Sequence, residues 1–176
     1  MRLLAAVHAT LDRAEIAHAV IGAAALAVHG VVRSTVDLDL LAIDLGCLDM
    51  ALWAELSLRG TQVDIRRGDA EDPLAGVVRL EMAGARDVDV VVGRGGWQST
   101  TVVRAEPAEL GGVAIRVVTA ADLVLLKLYA AGPQDRWDIQ QLLGASDRAS
   151  LEREVELRLP ALPEESRRLW TELRVR

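Results

Sequence analysis

The chain reads as an α+β domain, a mixed sheet with helices packed on one side and a C-terminal helical segment. Three observations lead there. Short strand-length apolar runs are interleaved with helical periodicity through the first two thirds of the chain. Turn signals at Gly and Pro separate them at close intervals. From Thr119 onward only helical patterns remain, so strands cluster early and helices late. The expected division is a core over residues 1–145 and a helical extension over 146–176, either in the same domain or as a small appendage.

Residues 2–16 carry Leu3, Leu4, Val7, Leu11 and Ile16 at helical spacing. "HAVIG" is a short strand, and "GAAALAVHG" a short helix bracketed by Gly22 and Gly30. "VDLDLLAID" is the second strand, followed by a helix through "LDMALWAELSLRG" that Gly60 stops. "TQVDIRRG" is a further strand, whereas "DPLAGVVRLEM" fits strand and helix equally. "RDVDVVVG" is a second acidic strand, and "AELGGVAIRVV" a hairpin turning at Gly111-Gly112. Thr119 caps an apolar helix, "AADLVLLKLYAAG", with Asp122 in its first turn, and Pro133 opens the next. Residues from Ser150 on are helical, charged and interrupted near Pro160 and Pro163.

Composition excludes several classes. With 176 residues, 51% hydrophobic and 26% charged, the chain can bury a core without staples. No apolar run approaches the roughly 20 residues of a membrane span, and the N-terminus lacks signal-peptide character. A cytoplasmic address is therefore expected. The single Cys47 leaves no internal disulfide framework and no multi-cysteine zinc site. A net charge of −6 argues against a generally basic nucleic-acid binder. Of the 20 basic residues, 19 are Arg and one is Lys127. A GC-rich genome accounts for the arginines, not for the exception.

The chemistry-bearing feature is a pair of D-x-D strands. Side chains two apart on a strand share a face, so Asp37 and Asp39 project together, as do Asp87 and Asp89. A lone D-x-D on an edge strand is ordinarily just solvated. Two of them flanked by Leu and Val are harder to dismiss, because burying unpaired carboxylates is costly. Close carboxylates repel, and a hard divalent cation with oxygen ligands relieves the repulsion; Mg²⁺ suits the pair best. A third carboxylate from a neighbouring strand would complete a two-metal site for phosphoryl displacement. Gly22 permits a sharp strand-to-helix turn whose free N–H groups suit phosphate.

In this order and spacing, "IGAAALAVHGVVRSTVDLDLL" resembles the first motif of the DNA polymerase β-like nucleotidyltransferase superfamily. "VHGVVRSTVDLDL" and "ADLVLLKLYAAGPQDRWDIQQLL" resemble the minimal toxin-type enzymes of the AbiEii and MenT kind. The likeness spans roughly residues 18–143 and implies a polymerase β palm-like sheet. It implies that Asp37, Asp39 and Asp89 hold catalytic metal, Mg²⁺ or else Mn²⁺, with Asp89 also accepting the proton of the attacking hydroxyl. Asp87 is the rival for the third position. Gly22, Ala23, Arg33, Ser34, Lys127 and Asp138 would bind the NTP co-substrate. Lys127 would lie over the phosphates and Asp138 would orient it or contact the nucleotide. Arg33 has a surface salt bridge as its alternative role, and Asp135 that of a first-turn helix charge. Ala23 departs from the usual Gly or Ser.

The implied reaction is transfer of a nucleotide from an NTP to an acceptor hydroxyl, with pyrophosphate released. The toxin-type likeness implies tRNA or a protein as acceptor and a cognate antitoxin as partner. The alternatives are a small-molecule enzyme of the antibiotic-modifying type and a degenerate binding module. A tRNA modifier should show a contiguous arginine patch beside the acidic cleft, from Arg66, Arg67, Arg94 and Arg104. A small-molecule enzyme should show a closed acidic or aromatic pocket. His8, His18 and His29 show no ligand spacing and read as structural, as does Cys47. Trp53, Trp97, Trp137 and Trp170 read as core or helix-packing residues.

Overall fold

The structure, a computed structural model, describes residues 2–33 and 37–174. Helix α1 (Arg2–Arg13) buries Leu3, Leu4, Val7 and Leu11 along one stripe, as its period requires. The chain then reverses at Glu15, whose φ is 57°, and the Ile16 N–H donates to the Leu11 carbonyl. Strand β1 (His18–Ile21) follows and runs directly into α2 (Gly22–Val28). Strand β2 (Leu38–Ala42) returns antiparallel beside β1.

The single helix expected over residues 48–60 is instead two 3-10 turns, Leu45–Leu48 and Met50–Trp53, and a short α3 (Ala54–Leu58). The reason is local. The side chains of Asp44 and Asp49 accept from the N–H groups of Gly46 and Ala51, turns that compete with helix propagation. The Trp53 indole then donates to the Cys47 carbonyl and fixes the bend.

Strands β3 (Gln62–Arg67), β4 (Leu74–Glu81) and β5 (Val88–Gly93) come next, so the ambiguous segment is a strand. Helix α4 (Trp97–Arg104) has no counterpart in the sequence expectations. Its start is set by positive φ at Gly95 and Gly96 and by the Gln98 side chain, which accepts the Arg94 N–H. Strands β6 (Glu106–Leu110) and β7 (Val113–Val117) form the expected hairpin. Gly111 and Gly112 both take positive φ, 55° and 82°, as a two-residue turn of this hand demands. Thr119 caps α5 (Ala120–Ala130) by accepting from the Asp122 N–H. Helices α6 (Pro133–Ala145), α7 (Arg148–Arg158) and α8 (Glu164–Arg174) complete the chain.

The seven strands form one mixed sheet in the order β3-β4-β5-β2-β1-β7-β6, parallel at β2/β5 and β1/β7 and antiparallel elsewhere. Leu38, Leu40, Val78, Leu80, Val88, Val90 and Val92 are buried on one face, and α1 lies against β5 and β7. Alternation then turns the intervening residues of β2, β4 and β5 to the opposite face. Helix α5 is buried nearly all round and packs on α2, α6, α7 and α8. Leu151, Val155, Leu169, Trp170 and Leu173 from α7 and α8 join the same buried cluster as the sheet. Asp122, wholly buried, ties α4, α5 and α7 together by accepting from Arg104, Thr119 and Arg158. Among the described residues no helix is long and apolar enough to cross a membrane.

Candidate active site

One row across the sheet carries the chemistry. Strand register places Ile21 of β1 beside Asp39 of β2, Asp39 beside Asp89 of β5, Asp89 beside Arg79 of β4, and Arg79 beside Asp64 of β3. Residues paired in register point to the same side of a sheet. Two carboxylates, a guanidinium and a further carboxylate therefore line up on one rigid surface. Asp37 precedes β2, and Asp87, whose carbonyl accepts the Leu38 N–H, precedes β5. Asp89, not Asp87, is the partner of Asp39 across the parallel pair, which favours it as the third carboxylate.

Arg79 is the participant that sequence reading missed. Its guanidinium lies 3.1 Å from Asp87, 3.4 Å from Asp89, 3.6 Å from Asp37 and 3.1 Å from Glu81. The hydrogen bonds it donates to Asp87 and Glu81 push its pKa further up, so it stays charged. The signal was available: read as a strand, "VVRLE" puts Arg79 and Glu81 on the face opposite Val78 and Leu80. The ambiguity of that segment hid it. The carboxylates of Asp37, Asp39 and Asp89 do not gather into one tight cluster around a common point; Arg79 stands among them.

Asp39 sits against the turn that opens α2. Gly22 has φ +63°, and a Cβ there would meet the Asp39 Oδ2 at 2.1 Å. Glycine is thus required twice, by conformation and by the approach of the carboxylate. Burial, helped by the Asp89 and Asp37 charges, pushes the Asp39 carboxyl up to about 6. Burial likewise raises Asp89, against the pull of Arg79. The Asp89 Oδ1 is buried and has no hydrogen-bond partner among the described residues.

A second group forms where α5 meets α6. Lys127, 8% exposed at its side chain, donates to Asp138 at 2.5 Å and to Asp135 at 3.0 Å. Asp138 is fully buried and also accepts from Arg33 at 2.9 Å and from Gln134 at 3.4 Å. It therefore orients both cations, while Arg33 takes the salt-bridge role, with a buried partner rather than a surface one. Asp135 does more than supply helix-end charge: its other oxygen accepts the Gly132 N–H. Lys127 lies close enough to Asp39 to pull its pKa down. Ala23 is buried in the first turn of α2. Ser34 lies outside the described residues.

No protein-family model matches the chain, and no curated protein matches it. Solved structures do match. The chain superimposes on the solution structure of the antibiotic-resistance factor ANT(2'')-Ia with a TM-score of 0.51, at 13% identity over 86% of each chain. It superimposes on the lincomycin-bound lincosamide antibiotic adenylyltransferase LnuA with a TM-score of 0.51, at 10% identity over 81% of this chain and 96% of that one. The chain has a nucleotidyltransferase fold.

On this nucleotidyltransferase fold the donor set suits a hard divalent cation. It offers carboxylate oxygens, one of them orphaned in a buried position, and a carboxyl whose ionisation is resisted by burial and by the neighbouring Asp89 and Asp37 charges. The four arginines expected to form an RNA-facing patch do not face the carboxylate row together. Arg66 pairs with Asp64, Arg67 donates to the Leu48 carbonyl, Arg94 to the carbonyls of Asp69 and Asp72, and Arg104 to Asp122. Beside the row, Asp64, Arg66, Val77, Arg79 and Asp89 line a cleft of about 190 Å³.

Of the remaining residues, His29 donates to or accepts at no metal-like cluster; its ring contacts the Val118 carbonyl and ties α2 to β7. Cys47 is buried and its thiol is pushed up to about 12 by burial, an inert small hydrophobe. Trp53 and Trp170 are core, and Trp97 stacks edge-on with Tyr129 at 5.2 Å. Trp137 corrects the expectation for the tryptophans: it is 47% exposed, because the buried positions of α6 are Asp138, Ile139, Leu142 and Leu143.

Proposed function

We propose that the chain catalyses nucleotidyl transfer, in which an acceptor hydroxyl attacks the α-phosphorus of an NTP and pyrophosphate leaves. The carrying observation is the in-register Asp39–Asp89 pair, with Gly22 packed against Asp39 at the mouth of α2. Asp37, Asp39 and Asp89 would hold Mg²⁺, which when bound supplies charge neutralisation for the phosphates. Asp89 is the group to accept the hydroxyl proton: its Oδ1 has no hydrogen-bond partner among the described residues, and burial raises its pKa, which makes the ionised carboxylate the stronger base. Gly22 and Ala23 present backbone N–H groups for the triphosphate. Lys127, held by Asp135 and Asp138, supplies a compact charge beside them, and Arg33 a second.

For the acceptor, we read a small hydroxylated molecule rather than tRNA or a protein. Of the four candidate patch arginines Arg66 alone lines the cleft, paired there with Asp64, while Arg67, Arg94 and Arg104 are engaged elsewhere, and the space beside Asp89 is small and carries carboxylates. The two structural neighbours, named for antibiotic resistance and for lincosamide adenylylation, agree with that class. The toxin-type reading, with tRNA or protein acceptor and an antitoxin, becomes an arm of the test.

The experiment incubates the protein with Mg²⁺ and each α-labelled NTP against hydroxylated small molecules, total tRNA and cell extract, beside Asp39→Ala. Label moved to a small molecule by the wild type and not by the variant is the expected result. Label on tRNA or protein would overturn the acceptor class. Nucleotide binding without transfer to any acceptor would overturn the reaction.

A further inference from the structure

We propose that His8, Asp12 and His18 bind one divalent transition-metal ion of the zinc type, at a site separate from the carboxylate row. His8 and Asp12 are four apart on α1 and so share a face, and His18 opens β1 beside them. One ligand atom from each of the three lies within 4.8 Å of the others.

The hydrogen bonds of the cluster turn one nitrogen of each ring toward the other. The Nδ1 of His18 lies 2.8 Å from the Ile16 carbonyl, which can only accept. That nitrogen therefore carries the hydrogen, and the Nε2 of the neutral ring presents a lone pair. The Nε2 sits 2.8 Å from the Nδ1 of His8, which must donate to it. The remaining His8 nitrogen, Nε2, lies 3.4 Å from the Asp12 Oδ2. A metal ion would replace the proton shared between the two rings, and all three groups can then donate lone pairs to it.

The geometry suits that occupant. His18 is only 6% exposed, and burial lowers its pKa, so the imidazole is neutral and available as a ligand. Its Nδ1 bond to a backbone carbonyl is the contact that commonly orients a metal-bound histidine. The turn that presents it is fixed by the Ile16-to-Leu11 hydrogen bond. Two nitrogens and one oxygen match zinc-type ions, whereas Mg²⁺ prefers oxygen alone. At Zn–N distances of about 2.0–2.1 Å the two histidine nitrogens must part to roughly 3.3 Å. The His8 side chain, 23% exposed, is free to make that small swing. A cleft of about 330 Å³ bordered by these residues, Val102 and Arg116 gives an entry path and room for a water as fourth ligand. Arg116 does not compete for the ligands, since its guanidinium donates to the Val103 and Ala105 carbonyls.

The test titrates chelator-treated, tag-free full chain with Co²⁺ by visible absorbance and with Zn²⁺ by calorimetry, in excess Mg²⁺ at neutral pH. One equivalent of tight Zn²⁺ binding is expected, with an intense Co²⁺ band of low-coordinate type. His8→Ala should abolish it and Asp12→Asn should weaken it about tenfold or more. Both positions are partly exposed, so folding is retained and is checked by melting temperature. Asp39→Asn should leave it intact. Absence of saturable binding, or binding that survives His8→Ala, would overturn the proposal. So would loss in Asp39→Asn alone, which would move the ion to the carboxylate row.

Discussion

Replacing Gly22 by Ala tests the site at its tightest contact. The substitution has two separable costs. A side chain at φ +63° incurs left-handed strain of about 1–2 kcal/mol. The new methyl also falls 2.1 Å from the Asp39 Oδ2, so the carboxylate must leave its place; an off-rotamer side chain adds about 0.5–1.5 kcal/mol. The sum is roughly 1.5–3.5 kcal/mol, and at about 2–4 °C per kcal/mol for a chain of this size the melting temperature falls by about 3–14 °C. Gly60→Ala provides the control. Its φ is +88° but nothing lies within 4 Å, so only the strain operates. The loss of unfolded-chain entropy on adding a methyl is common to both and cancels. Differential scanning fluorimetry should show the larger drop for Gly22→Ala, and Mn²⁺ binding and transfer should fail in that variant alone. Equal melting shifts together with unchanged Mn²⁺ binding in Gly22→Ala would refute the placement of Asp39 against the turn.

Four further outcomes follow from the geometry. Folding raises the Asp39 pKa from 3.8 to about 6, so the native state binds the proton more tightly; in metal-free protein stability should fall as pH rises from about 4 to about 6 and stay lower above it. Thermal melts should show that slope, lose it in Asp39→Asn, and gain more from Mg²⁺ at pH 8 than at pH 5. Asp122→Asn removes the charge that holds Arg104 and Arg158 and should cost about 2–4 kcal/mol in urea unfolding, discounted because both arginines reach solvent. Asp138→Asn loosens Lys127 and Arg33 together and should weaken NTP binding by about 10–100-fold, the worth of a charged hydrogen bond; because Asp138 is wholly buried, the melting temperature should fall as well, by an amount comparable with Asp122→Asn. Arg79→Ala removes the competing cation and should tighten Mn²⁺ binding measured by paramagnetic resonance; weaker binding would show that Arg79 instead holds the carboxylates in place.

Much of this architecture was legible because local signals agreed with the final packing. The Gly22 turn, the strand through Asp39, the Gly111-Gly112 hairpin and the Thr119 cap each rest on chemistry confined to a few residues. What stayed hidden depends on partners distant in sequence. Arg79 acquires its meaning only when β4 pairs with β5, and His8 finds His18 only after the turn at Glu15. Helix α4 carries Gln98 and Thr101 on its buried side, so its apolar period is too weak to read. The helix expected over 48–60 failed for the opposite reason: its apolar residues were legible, but Asp44 and Asp49 offered the backbone closer partners.

The carboxylate row shows why strands rather than loops carry such a site. Two charges 4 Å apart repel by about 4 kcal/mol at an effective dielectric of 20. On a loop, Asp39 and Asp89 would relax apart and the repulsion would vanish. Here the register of β2 against β5 holds Asp39 beside Asp89 whatever their charge, because slipping by one residue would expose Leu38, Leu40, Val88 and Val90. Arg79 answers only part of the demand: one guanidinium serves Asp37, Asp87, Asp89 and Glu81, and leaves the Asp89 Oδ1 without a partner. The hydrophobic face thus enforces an electrostatic debt on the polar face. A divalent cation is the small species whose charge would settle it without moving a strand, and under the proposed function the NTP would bring that cation with it.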